Sequence, residues 1–174
     1  MLKIRRADPE EYKSVRDFYY SLIDAMEQMQ YKPRWEKDVY PSQAFLREAI
    51  DNHELFIGES EGQIISCMAV NHKFNEEYDR IQWSVAAEKQ DLLVIHALGV
   101  HPAFANRGAA KQMVKKVIDT ARENNVKTIR LDVLEGNIPA EKVYRKMGFR
   151  YVDTIPMFYE DTGWTDFRLF EYII

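Results

Sequence analysis

The chain has 174 residues, of which 46% are hydrophobic and 13% aromatic, with 24 Lys plus Arg against 28 Asp plus Glu and a formal charge of −4. That length suits one domain with a sizeable core, because a domain of roughly 150 residues buries about 68–70% of the surface its unfolded chain exposes. The composition argues against a disordered chain; no apolar run approaches the ~18 residues of a membrane span, and neither sign of charge is massed as a nucleic-acid footprint.

A single cysteine, Cys67, rules out an internal disulfide. The start "MLKIRRADPEEY" carries charges where a secretory signal carries its apolar core, so a reducing cytoplasm is the expected setting. His53, His72, His96 and His101 show no metal-ligand spacing, and no metal is expected.

"LKIRRA" alternates like a half-buried strand. Asp8-Pro9-Glu10-Glu11 then supplies an N-cap, a first-turn proline and a capping-box acid, so a helix is expected from Pro9. Its apolar stripe of Tyr12, Val15, Tyr19, Leu22, Ile23 and Met26 runs to about Met29. "QYKPRWEKDVYPS" breaks the pattern with two prolines and three large aromatics, and Ser42 caps a second helix through Ile50. "HELFIGES" and "GQIISCMAVNHKF" read as a hairpin around "SEG".

"RIQWSVA" alternates Ile81, Trp83 and Val85 as a strand would. "DLLVIHALGV" is an almost unbroken apolar run, as expected of a central strand buried on both faces. From Gly108, Ala110, Met113, Val114, Val117, Ile118 and Ala121 form one helical stripe, and the strand "TIRLDVL" follows. Strand, helix, strand in that order implies a right-handed crossover between parallel strands. "NIPAEKVYRKMGF" makes a shorter helix stopped by Gly148. "RYVDTIPMFY" and "WTDFRLFEYII" close the chain around an "EDTG" turn, and the last of them either forms a dimer edge or closes a monomer's sheet.

"VHPAFANRGAAKQMV" joins the central strand to its helix through small residues. Helix N-terminal N–H groups lack intrahelical partners, so this junction offers several donors to one anion, with Arg107 adding charge. The alternative is a plain turn in which Gly108 only permits close packing. Neither G-x-G-x-x-G nor G-x-x-x-x-G-K-[ST] is present, so dinucleotide and nucleoside-triphosphate sites lack their fingerprints.

Three pieces together, "VHP" at Val100–Pro102, the turn Arg107-Gly108-Ala109-Ala110 and "GNIPAEKVYRKMGF", resemble the GNAT superfamily of acyl-CoA-dependent N-acyltransferases. The family's N-x-x-A-x-x-x-Y-x-x-x-G-F is matched by Asn137, Ala140, Tyr144, Gly148 and Phe149. Its [Q/R]-x-x-G-x-[G/A] is matched at Gly108 and Ala110 and departs at Ala105. The resemblance covers essentially the whole chain and implies a single α/β (α+β) domain: a mixed sheet of about seven strands, splayed at its centre, with about four helices.

The resemblance also implies acetyl-CoA as acyl donor. The backbone of Leu98, Gly99 and Val100 would pair with the pantetheine arm, and Asn106, Arg107, Gly108, Ala109 and Ala110 would offer N–H groups to the pyrophosphate. Ala140 would lie against the cofactor, and Asn137 would cap its helix or bond the pantetheine amide, two compatible roles. A β-bulge is expected in "HALGV", where Gly99 tolerates unusual dihedrals or is simply a packing glycine. Tyr144 resembles the family's acid on the thiolate side, although its spacing also fits a core residue. His96 is the first candidate for the base, although a lone histidine in an apolar strand also fits a satisfied core residue; Glu135 is the competing carboxylate, unless Glu135-Gly136 is simply a turn, and His72 is a third.

The acceptor implied is a small-molecule or peptide amine. It would be selected by the Tyr31–Tyr40 loop with Trp35, the Trp83 segment and the "YEDTGWTDF" turn. There Glu160, Asp161 and Asp166 either attract a cation or solvate a hairpin tip over Trp164. Cys67 gives no nucleophile signature, so direct transfer is expected. A non-catalytic acyl-CoA-binding domain and a nucleotide-binding α/β module are the alternatives.

Overall fold

The computed structural model describes residues 1–174. One mixed sheet has strand order β1-β2-β3-β4-β5-β7-β6. Its strands are β1 (Lys3–Arg6), β2 (Leu55–Ser60), β3 (Gln63–Asn71), β4 (Leu92–Val100), β5 (Thr128–Leu134), β6 (Arg150–Tyr159) and β7 (Gly163–Ile173). Four α-helices join them: α1 (Tyr12–Met26), α2 (Gln43–Asp51), α3 (Ala109–Glu123) and α4 (Ile138–Lys146). This is the expected fold class. No helix is long and apolar enough to cross a membrane.

Local chemistry sets most boundaries. Glu11 accepts from the Asp8 N–H at 2.8 Å, and Pro9–Glu11 form a 3₁₀ turn that leads into α1. Ser42 Oγ accepts from the Phe45 N–H at 3.1 Å and starts α2. Glu61 and Gly62 both have positive φ, the requirement of the tight turn between β2 and β3. α1 ends at Met26, one turn short of the expected Met29, which is exposed.

Two of the three hydrophobic clusters lie on opposite faces. Met113, Val114, Val117, Ile118 and Ala121 of α3 pack on one face with Ile95, Leu131 and Val133. Val15, Phe18, Tyr19 and Leu22 of α1 and Leu46, Ala49 and Ile50 of α2 pack on the other with Ile57, Cys67 and Ala97. Ile95 and Ala97 belong to opposite faces although strict alternation would put them on one. The cause is a bulge: Cys67 faces Gly99 and Ala69 faces His96, so Ala97 and Leu98 together oppose Met68.

The bulge therefore lies in "HALGV", but Gly99 is not its strained residue. Ala97 takes the left-handed conformation, with φ +50°. Gly99 is required by packing: a Cβ there would meet Leu22 Cδ2 at 2.3 Å and Trp35 at 3.2 Å.

β4 and β5 run parallel but pair only at Leu92–Thr128, Leu93–Ile129 and Val94–Arg130. Beyond Val94 the strands diverge. β5 keeps its partner β7 through Leu134, and β4 keeps β3 through Val100, so the facing edges of Ile95–Val100 and Leu131–Leu134 are open.

Residues 81–87 are not a strand. Their backbone is held by side chains: Glu171 accepts from the Ser84 and Val85 N–H groups at 3.0 and 3.1 Å, and Arg130 donates to the Val85 carbonyl at 2.6 Å. Trp83 donates its indole N–H to the Tyr78 carbonyl, and Arg130 stacks over its ring at 4.4 Å. The alternation of Ile81, Trp83 and Val85 thus describes a strap across the sheet. β7 is not an edge either: it lies between β5 and β6, and the edges are β1 and β6.

Candidate active site

The divergence of β4 from β5 opens a cavity of about 260 Å³. Ile95–Val100 line one wall and Asp132–Leu134 the other, with Asn137, Pro139, Ala140, Val143 and Tyr144 of α4 and its approach on the β5 side. Leu98, Gly99, Val100, Ala110, Asn137, Ala140 and Tyr144, all singled out in the sequence, thus share one space. A chain inserted here meets two unpaired strand edges, which offer N–H and C=O groups in register.

One end of the slot is the junction before α3. Asn106 and Gly108 have φ +63° and +77°, and the helix bonds begin only with the Gln112 N–H donating to the Gly108 carbonyl. The six consecutive N–H groups from Asn106 to Lys111 therefore make no hydrogen bond within the chain. That is a cradle for an anion at a helix N-terminus. Arg107 lies over the Phe104 ring at 5.3 Å, exposed at the rim, and Ala105 reaches nothing.

Tyr144 is buried on α4 and packs edge-on to Phe149, with ring centroids 5.5 Å apart. Its hydroxyl has no partner in the fold, and burial together with the nearby Asp132 pushes its pKa up, so the phenol stays protonated. Asn137 precedes α4 without a side-chain capping bond and lines the cavity.

His96 lies on the cavity wall, with Nε2 2.9 Å from Asn71 Oδ1. Asn71 Oδ1 also accepts from the Lys73 N–H, and Asn71 Nδ2 donates to Glu54. Asn71 Oδ1 is thus an acceptor, so His96 carries its proton on Nε2 and leaves Nδ1 as a lone pair. Burial pushes the His96 pKa down to about 4. Glu135 is exposed in the turn after β5, outside the cavity, its N–H donating to the Asp166 carbonyl. His72 lies away from the site with Nδ1 2.7 Å from the Leu92 carbonyl.

The carboxylate that does reach the cavity is Asp132, which sequence reasoning missed. Tyr78 and Tyr159 both donate to its Oδ2, at 2.6 and 2.9 Å. Oδ1 makes no bond within the chain, and no cation pairs with the group. Burial raises the Asp132 pKa against the two hydroxyls that lower it. Asp161, in the turn after β6, lines the same cavity, and burial raises its pKa too. Of the other turn residues, Glu160 and Asp166 are exposed, and Trp164 is 65% exposed instead of packed beneath the tip. Trp35 and Tyr40 of the loop before α2 line the cavity.

The description "Acetyltransferase (GNAT) family" matches residues 17–149. The chain is 26% identical over 127 residues to N-alpha-acetyltransferase RimI of Mycobacterium tuberculosis, covering 72% of this chain and 71% of that protein. It is 28% identical over 83 residues to a [ribosomal protein bS18]-alanine N-acetyltransferase of Haemophilus ducreyi, covering 48% of this chain and 57% of that protein's length. Among solved structures, a GNAT-family acetyltransferase of Streptococcus agalactiae superposes with a TM-score of 0.82 at 20% identity, over 99% of this chain and 95% of that one. Arabidopsis thaliana NAA60 in complex with acetyl-CoA superposes with a TM-score of 0.70 at 20% identity, over the full length of both chains. With the slot, the anion cradle and a family match across three quarters of its length, the chain belongs to the acetyltransferase (GNAT) family.

Proposed function

We propose that the protein transfers an acetyl group from acetyl-CoA to a primary amine by direct attack. The carrying observation is one cavity with two open strand edges along its length and Tyr144 with Asp132 on its walls, bordered at Ala110 by the run of six free N–H groups from Asn106 to Lys111. Acetyl-CoA in the superposed Arabidopsis structure supports the choice of donor. A thioester supplies an electrophilic carbonyl and a thiolate leaving group.

The edges of Ile95–Val100 hold an amide-bearing arm, and the Asn106–Lys111 cradle takes its pyrophosphate. Asp132 Oδ1 accepts one proton from the substrate ammonium and leaves a neutral amine, and a carboxylate with a raised pKa is a better base for that step. The nitrogen then forms the C–N bond as the C–S bond breaks. Tyr144 gives its phenol proton to the departing sulfur and regains one from the acylated nitrogen, so a single proton leaves through Asp132. No covalent enzyme intermediate is needed: burial pushes the Cys67 thiol up, away from the thiolate. His96, neutral and tied to Asn71, orients the strand ahead of the bulge. Glu135 has no part.

Thiol release from acetyl-CoA with a panel of primary amines tests this reading. Tyr144→Phe should lower the chemical step by ~10²–10⁴ while acetyl-CoA still binds. Asp132→Asn should remove the acidic limb of the rate profile. Binding of acetyl-CoA without thiol release for any amine would leave a non-catalytic acyl-CoA-binding domain.

A further inference from the structure

Past Asp132 the cavity ends between two segments distant in sequence, the loop between α1 and α2 and the turn between β6 and β7. They are in contact. The Tyr40 ring lies 6.0 Å from Tyr159, 6.2 Å from Trp35 and 5.9 Å from Phe45, and Tyr159 lies 5.0 Å from Phe167. Trp35 in turn lies 6.0 Å from Tyr19. Rings thus run without a gap from α1 through the loop to β6 and β7. The exposed Met29, Tyr31 and Arg34 of the same loop also line the cavity, so its mouth opens beside this aromatic wall and an acceptor meets an apolar face next to the carboxylates.

The same end is acidic. Asp132 Oδ1 and Asp161 line it, neither forms a salt bridge, and the cation on the wall, Arg34, is exposed. A buried carboxylate without a cation is costly, and an incoming ammonium removes that cost. Aromatic faces around the carboxylates add to the attraction.

We propose that the acceptor is a small amine with an aromatic or similarly apolar body, bound as its ammonium between Asp132, Asp161 and the Trp35–Tyr40–Tyr159–Phe167 wall. This rests on the acetyl-transfer reading above.

The experiment measures thiol release by the full chain with acetyl-CoA and three acceptors: 2-phenylethylamine, ethanolamine and a hexapeptide with N-terminal alanine. Acetyl-CoA binding is followed separately by calorimetry. The expected result is a kcat/KM for 2-phenylethylamine at least tenfold above both others. Tyr40→Ala, which removes the ring at the centre of that wall, should narrow its advantage over the hexapeptide at least fivefold. A hexapeptide equal to or better than 2-phenylethylamine overturns the proposal, as does ethanolamine at parity or a ratio unmoved in a folded Tyr40→Ala protein. Acetyl-CoA binding with turnover of none of the three also overturns it and leaves the donor site intact. Failure to bind acetyl-CoA overturns the acetyl-transfer reading itself.

Discussion

Tyr19 donates its hydroxyl to the carbonyl of Ala97 at 2.8 Å, a fully buried bond that ties the first helix to the bulge of the central strand. The bulge places a left-handed alanine in a strand, a conformation that costs a side-chain-bearing residue roughly 1–2 kcal/mol. Tyr19→Phe removes that bond from a buried carbonyl and should lower stability by about 1–3 kcal/mol. Because Leu98, Gly99 and Val100 follow directly, acetyl-CoA affinity should fall as well. Urea denaturation and calorimetry check the two effects, and an unchanged midpoint would deny Tyr19 this role.

Gly99 and Leu22 are a second pair across the same contact. Gly99→Ala drives a methyl into the buried Leu22 side chain and should cost about 1–3 kcal/mol. Leu22→Ala alone should cost about 2–5 kcal/mol. The double variant should lose less than the sum, because the space left by one change takes up the other. Strict additivity in chemical denaturation would show that the clash is relieved elsewhere.

These pairs show where the sequence was readable. The crossover from β4 through α3 to β5 could be read because each element declares itself locally: an apolar run, a small-residue turn, a 3.6-residue stripe. The strap of residues 81–87 could not, because its backbone groups are satisfied by Glu171 and Arg130, far along the chain. Asp132 was hidden for a similar reason. In "TIRLDVL" it is one polar residue in a strand, and the hydroxyls that mark it as part of the site come from Tyr78 and Tyr159, 54 and 27 residues away. Glu135 drew notice by standing just past the strand, where the turn carries it to solvent.

The pH dependence of stability should report His96. Its folded pKa of about 4 lies below the ordinary 6.5, so as pH falls the unfolded chain takes up the proton first. The stability of the neutral ring is whole above about pH 6.5 and is lost between there and about pH 4, a difference of up to about 3 kcal/mol. Asp132, whose pKa is raised, has the opposite slope at acid pH and offsets part of this. His96→Gln should therefore flatten the decline in melting temperature between pH 6.5 and 4.5. An identical decline in the variant would place the proton uptake on another group.

The anion cradle has one empty position. Ala105 precedes six free N–H groups and contributes no side-chain donor. Ala105→Gln should tighten acetyl-CoA binding severalfold, and Arg107→Ala should weaken it in a salt-dependent way. Calorimetry at two ionic strengths distinguishes them. Silence in both variants would move the pyrophosphate elsewhere.

Three rungs are all that join β4 to β5 directly. Mechanically, the sheet is two half-sheets sharing a short seam, four strands on one side and three on the other, with α3 bridging behind. A ligand whose amides pair with both free edges would act as an added strand across the gap. Its affinity and the rigidity of the seam would then be one linked equilibrium, so variants that loosen either half should be rescued by donor, and most strongly those nearest the seam.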